Sequence, residues 1–238
     1  MKDRLGAILR PGQERYLERL QPPRDPLLAE MEAYAAEHDV PVSDPEVGRL
    51  LEVLAAALAR GGPGSPAPGA APPRILEVGT AIGYGALLLA RAAPEARVVT
   101  IDRDPEMHAR ARGYLERAGV AERVELVEGE ALEALERVEG PFVLAYVDAE
   151  KVHYRRYLDR ILPKLAVGGV VAFDNLLWKG WVAEPPEDEA DENADALRAF
   201  NAYLMIHPQL RSQVLAIGDG FGIATKTKPT ILEMGGPF

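Results

Sequence analysis

The 238-residue chain contains no cysteine. That absence excludes disulfides, thiolate metal centres and cysteine nucleophiles, and a reducing, cytoplasmic location is the expectation. It also lacks a long apolar run. The stretch 86–90 ends at Arg91, far short of the roughly 20 apolar residues a spanning helix needs. The first ten residues have no apolar core of the signal-peptide kind. No block of Lys or Arg stands out, and the formal net charge is −10. Such a chain repels phosphate backbones, so neither nucleic acid nor a membrane is an expected partner. His38, His108, His153 and His207 show no metal-ligand spacing.

What is present fits one large α/β domain. Up to residue 60, apolar residues recur at helical spacing (Leu27, Leu28, Met31, Tyr34; then Val47, Leu50, Leu51, Leu54), and Ser43 or Asp44 with Pro45 reads as a helix start. Residues 61–73 hold only Gly, Pro, Ser and Ala and read as a loop or linker. From 74 to 228 short apolar runs alternate with amphipathic stretches, and 229–238 is a tail. Strands are expected at 74–78, 97–101, 124–127, 142–147, 170–173, 214–217 and 221–225. Helices are expected near 84–93, 105–118, 130–137, 151–165 and 192–206. Alternation of this kind predicts a mostly parallel sheet with helices on both faces. The last two runs flank Gly218-Asp219-Gly220 and predict an antiparallel end. Chemistry is then expected beyond the carboxyl ends of the strands.

The first such end reads Leu76-Glu77-Val78-Gly79-Thr80-Ala81-Ile82-Gly83-Tyr84-Gly85. Its glycines allow a sharp turn and a close backbone approach. Ala81 breaks the Gly-x-Gly-x-x-Gly spacing, which weighs against a dinucleotide and hence a nicotinamide oxidoreductase, and no P-loop follows. Asp102 at the second strand end can accept ribose hydroxyls. Glu77, with no phosphate in prospect, suits a cationic group. A ribose, an ammonium and a sulfonium without phosphate describe S-adenosylmethionine. Taken singly, Glu77 and Asp102 could be plain solvated strand ends.

The fourth strand ends at Asp148 and the fifth at Asp174-Asn175. If those strands are neighbours, two carboxylates and an amide converge. That oxygen set suits Mg²⁺ or another divalent cation such as Mn²⁺ or Ca²⁺. Asp and Asn are also ordinary turn formers, and three at two strand ends are what tip the balance. Lys151, one turn past Asp148, is a candidate general base, because a nearby cation disfavours its charged form.

These segments, together with VVTIDRDPE, GEALEAL, YVDAEKVHYRRY, GGVVAFDNLLWKGWV and GDGFGIATK, resemble the cation-dependent O-methyltransferase family that includes catechol and caffeoyl-coenzyme A O-methyltransferases. The resemblance implies a Rossmann-like class I methyltransferase fold with a seven-stranded sheet. By matching positions it implies that Val42, Glu77, Gly79, Tyr84, Gly85, Asp102, Arg103, Glu130, Ala131 and Asp148 serve S-adenosylmethionine. Asp148, Asp174 and Asn175 would hold the metal, and Lys151 with Asp148 would be catalytic. Lys151 and Trp178 would meet a small hydroxylated acceptor. The family commonly forms dimers, so a homodimer is implied. Members often carry Thr-Gly-Tyr-Ser where this chain has Ile82-Gly83-Tyr84-Gly85, and Asp where it has Glu130 and Glu150.

Two alternatives keep part of this reading: a methyltransferase acting on a tRNA hydroxyuridine, which the net charge opposes, and a noncatalytic S-adenosylmethionine-binding protein, for which the intact Asp148, Lys151, Asp174 and Asn175 set is unexpected. Trp178 and Trp181 could wall an aromatic acceptor or simply pack. Residues 184–195 hold seven acids and read as a solvated loop entering a helix. Should that loop border the acceptor, it would disfavour anionic coenzyme A thioesters.

Overall fold

A computed structural model describes residues 11–23, 25–60, 71–185 and 190–228. Three helices come first: α1 (Pro11–Leu20), α2 (Pro26–Glu37) and α3 (Pro45–Ala59). Then follow β1 (Arg74–Val78), α4 (Tyr84–Ala92), β2 (Arg97–Asp102), α5 (Pro105–Arg117), β3 (Val124–Glu128), α6 (Ala131–Arg137) and β4 (Phe142–Val147). The remainder is α7 (Tyr154–Ile161), β5 (Leu165–Phe173), α8 (Glu192–Ile206), β6 (Leu210–Leu215) and β7 (Phe221–Lys226). Most of the expected linker (61–70) and all of the tail lie outside the described residues.

Helix starts follow local chemistry. The Asp25 carboxylate accepts the N–H groups of Leu27 and Leu28, Asp104 those of Glu106 and Met107, and Asp191 that of Ala194. Pro26, Pro45 and Pro105 sit at first helical positions, where a missing N–H costs nothing.

The seven strands run in the order β3-β2-β1-β4-β5-β7-β6. The four pairings from β3 to β5 are parallel; β5 with β7 and β6 with β7 are antiparallel. The expected α/β architecture with an antiparallel end is what forms. One core lies between the sheet and α3–α5, the other between it and α6–α8. All six residues of β4 are buried, as a central strand covered on both faces requires. Each aliphatic side chain so placed contributes about 1.5–3 kcal/mol. No described helix is long and apolar enough to cross a membrane.

Three expected boundaries move. The helix placed at 151–165 is a 3₁₀ turn (Lys151–His153), α7, and a second 3₁₀ turn (Leu162–Lys164); Pro163 lacks the N–H that would continue α7. β5 starts at Leu165 rather than 170. Its Gly168-Gly169 pair hides the strand from a hydropathy reading, yet a Cβ on Gly169 would lie 3.1 Å from the Phe142 and Val143 carbonyls. Glycine there lets β5 bend past β4 at a register shift. β6 runs Leu210–Leu215 rather than 214–217; as an edge strand it tolerates Arg211, Ser212 and Gln213.

The turn after β1 sits where the strand order reverses. Gly79 and Thr80 both donate N–H to the Ile101 carbonyl, at 2.9 and 3.2 Å. Gly79 has φ +104°, and a Cβ there would collide with the Asp148 carbonyl oxygen. Behind the turn Thr80 and Thr100 hydroxyls are 2.7 Å apart, and Thr100 donates to the Glu77 carboxylate at 2.5 Å. Glu77 is 1% exposed. Burial pushes its pKa up to about 8, the Thr100 bond opposing and the Asp148 and Asp102 charges adding to the rise.

Gly79→Ala should lower stability by about 3 kcal/mol, since strained φ and backbone overlap add; an unchanged urea midpoint would contradict the close approach. A raised folded-state pKa means that the contribution of Glu77 is full below its ordinary pKa and is lost as pH rises through about 8. Glu77→Gln should therefore flatten the fall in melting temperature between about pH 5 and about pH 8, and an identical pH profile would contradict the assignment.

Candidate active site

The carboxyl ends of β1 to β5 open into one cavity of about 610 Å³. Gly79 and Ala81 line it from β1, Asp102 and Arg103 from β2, and Glu130 and Ala131 from the turn after β3. The β4 end contributes Asp148 and Lys151, and the β5 end Asp174, Asn175 and Trp178. Residues 41–44, before α3, form a further wall. Of the residues singled out in the sequence, Val42, Gly79, Asp102, Arg103, Glu130, Ala131, Asp148, Lys151, Asp174, Asn175 and Trp178 line this cavity; Glu77, Tyr84 and Gly85 do not.

Those three lie behind the wall. Tyr84 is 2% exposed, and its hydroxyl donates to Glu32 of α2 at 2.6 Å. Gly85 sits against Glu77: a Cβ at Gly85 would collide with a Glu77 carboxylate oxygen. The missing side chain at Gly85 is thus the space that Glu77 fills.

At the β2–β3 end, Asp102 accepts the Ala81 N–H at 2.8 Å and the Asp104 N–H at 3.1 Å, one on each oxygen. The carboxylate is fixed, and each oxygen keeps a lone pair for a ligand hydroxyl. Arg103 reaches across the strand ends to Glu150 at 2.8 Å and Glu130 at 3.7 Å. These pairs are solvent-exposed, so they orient more than they stabilise.

At the β4–β5 end, parallel register sets Val147 beside Phe173, which puts Asp148 beside Asp174. Lys151 Nζ lies 2.6 Å from Asp148 Oδ1, with Lys151 almost buried. Asp174 is 2% exposed. Its Oδ1 accepts the Asn175 N–H at 2.7 Å, and its Oδ2 accepts the Tyr146 hydroxyl at 2.8 Å. Burial first, and then the Asp148 charge, push the Asp174 pKa up to about 6, against the lowering effect of Tyr146, Asn175 and Lys151. Asn175 has φ +58°, and its side-chain amide makes no hydrogen bond among the described residues. Asp148, Asp174 and Asn175 are the groups that could hold a cation. Among the described residues no three His, Cys, Asp or Glu side chains gather for that purpose, so the amide would complete the protein's share.

The outer rim comes from two clamped loops. Leu176 and Leu177 donate N–H to the Gly220 and Asp219 carbonyls, and Lys179 N–H donates to Asp219 Oδ1 at 2.7 Å. Gly220, at φ +91°, leaves room for Leu177, whose nitrogen would lie 2.6 Å from a Cβ there. Trp178 lines the cavity and donates its indole N–H to Asp191 at 3.0 Å. It is therefore both wall and packing, whereas Trp181 does not reach the cavity. Of the acidic segment, residues 186–189 lie outside the described residues, and Asp191 is the cap of α8.

Sequence reading missed several cavity residues. Asp44 reads as a helix cap and Asp219 as a hairpin turn, yet both line the cavity. Burial raises the pKa of each, Glu46 and Asp148 adding at Asp44, and Asp44 adding at Asp219. Tyr146, behind the cavity wall, reads as a core strand residue, and nothing in its local pattern marks its hydroxyl as a partner of Asp174.

Comparison with known proteins identifies the family and the fold. The O-methyltransferase family model matches residues 70–227. Tricin synthase 1 of Oryza sativa subsp. japonica is 38% identical over 167 residues, which cover 64% of this chain and 66% of that protein. Caffeoyl-CoA O-methyltransferase of Populus kitakamiensis is 33% identical over 157 residues, covering 62% and 67%. The crystal structure of the O-methyltransferase TomG from Streptomyces achromogenes, involved in tomaymycin synthesis and solved in complex with SAM, superposes with a TM-score of 0.76 at 30% identity, covering 91% of this chain and 96% of that one. A match to the family model over more than half its length, joined to this sheet order and this cavity, means that the chain belongs to the O-methyltransferase family and has the fold of the class I S-adenosylmethionine-dependent methyltransferases.

Proposed function

We propose that the chain transfers a methyl group from S-adenosylmethionine to a hydroxyl of a small catechol-like or phenylpropanoid acceptor, with the help of a divalent cation. The observation that carries this reading is the meeting of Asp148, Lys151, Asp174 and Asn175 in the same cavity as Gly79, Asp102 and Glu130. The first group suits an ion and an ionising hydroxyl, the second a nucleoside.

The donor chemistry fits a hard cation. All the available atoms are oxygens, and two carboxylates raise the charge density of a partly dehydrated site until Asp174 ionises only reluctantly. Asp148, Asp174 and Asn175 would hold the ion. When bound, it supplies positive charge that favours ionisation of an acceptor hydroxyl. Lys151, entering the step as the free amine, takes the hydroxyl proton at Nζ and becomes the ammonium that Asp148, 2.6 Å away, holds in place. Asp102 receives the ribose hydroxyls, and Glu130 with Ala131 borders the base. Residues 41–44 and Trp178 shield the reacting atoms from water, so that donor and acceptor meet in line. The oxygen-rich site that Asp148, Asp174 and Asn175 would give an ion suits an acceptor with adjacent hydroxyls, such as a catechol. Tricin synthase and caffeoyl-CoA O-methyltransferase among the relatives support a phenolic acceptor.

Chelation, or Asp174→Ala, should lower turnover on the order of a hundred-fold or more, while S-adenosylhomocysteine still binds by calorimetry. Full turnover in chelator would refute the metal role. Lys151→Met should lower turnover by about 10²–10⁴, with a deficit that shrinks as pH rises and the acceptor ionises unaided. A wild-type rate at every pH would remove Lys151 as the base.

A further inference from the structure

We propose that the Tyr146 hydroxyl is a positioning group that couples the segment walling the cavity, through Ser43, to the ion-holding carboxylate of Asp174. This rests on the function proposed above, because it takes Asp174 as a ligand of the ion.

The contact is directional. Ser43 Oγ lies 2.8 Å from the Tyr146 oxygen, and that hydroxyl donates to Asp174 Oδ2 at 2.8 Å. A phenol has one proton. With that proton on Asp174, the Ser43 hydroxyl is the donor to Tyr146. The chain of bonds thus runs Ser43 to Tyr146 to Asp174. The other Asp174 oxygen takes the Asn175 N–H. Both oxygens are held, so the plane of the carboxylate is fixed before any ion arrives. Tyr146 and Asp174 are 1% and 2% exposed, and water does not compete for the buried bond between them.

Packing alone does not call for the hydroxyl. Tyr146 lies in β4 between Glu77 of β1 and Ala172 of β5, with its ring 6.4 Å from that of Phe221. Phenylalanine would fill that space without desolvating an oxygen. The hydroxyl instead joins two parts of the cavity wall. Ser43 stands 103 positions away in the chain, in a segment bordering the cavity from outside the sheet. A ligand that settles this segment should also settle Asp174, and by reciprocity an ion at Asp174 should favour that ligand.

The test is a titration of Mn²⁺ into the full chain, with and without S-adenosylhomocysteine, for wild type, Tyr146→Phe and Ser43→Ala. Binding is read by calorimetry, and thermal melts verify that the variants fold. In the wild type, S-adenosylhomocysteine should tighten Mn²⁺ binding. Tyr146→Phe should weaken Mn²⁺ by about ten- to a hundred-fold, the worth of one lost bond to a charged group, and should bring the mutual enhancement close to one. Ser43→Ala keeps the bond to Asp174, so its Mn²⁺ affinity alone should stay near wild type while the enhancement is lost; it carries the test if Tyr146→Phe does not fold. Wild-type affinity and enhancement in both variants, or no enhancement in the wild type, would overturn the positioning role and leave the metal reading standing. A wild type that binds no Mn²⁺ would sink the proposed function itself, and this inference with it.

Discussion

Two carboxylates held side by side at the ends of neighbouring parallel strands are the constraint around which the rest of the site is arranged. Parallel pairing of β4 and β5 puts Asp148 and Asp174 next to each other, at a depth where water compensates poorly for their repulsion. Everything near them reads as a response. Lys151 pairs with one, and the Tyr146 hydroxyl and the Asn175 N–H hold the other. The residual negative charge is what the proposed ion would offset.

Backbone economy makes that proximity possible. Gly79 lets the β1 turn lie against the Asp148 carbonyl, and Gly220 lets the last hairpin lie against Leu177. Neither glycine supplies chemistry. Each removes a Cβ that would hold two loops apart, and the loops then define the cavity between them. Gly85 works differently, by leaving room for the carboxylate of Glu77. The wall behind the cavity is thus built around a buried acid.

Much of the fold was legible because strand and helix periods are local. The strands at 74–78 and 142–147 and the helix at 192–206 coincide with the observed elements, since a strand buried on both faces is continuously apolar and a helix start carries its own cap. The misplaced elements fail for physical reasons. The start of β5 is hidden by Gly168 and Gly169, and β6 is a polar edge strand whose partner, not its composition, keeps it extended. At the cavity, Asp102, Asp148, Asp174 and Asn175 could be named in advance because strand ends are where ligands gather. Asp44, and Tyr146 behind the cavity wall, could not, because a capping acid and a core tyrosine each have an ordinary local meaning.

By itself the sequence determined the alternation of strands and helices, the glycine turn after the first strand, and the oxygen-bearing residues at strand ends, all of which depend on near neighbours in the chain. Only the tertiary structure decided that Glu77, Tyr84 and Gly85 stand behind the cavity wall, and that Ser43 meets Tyr146 across 103 positions. Which way a side chain faces, and what distant group it meets, depends on how the layers pack against the sheet, and no local period records that.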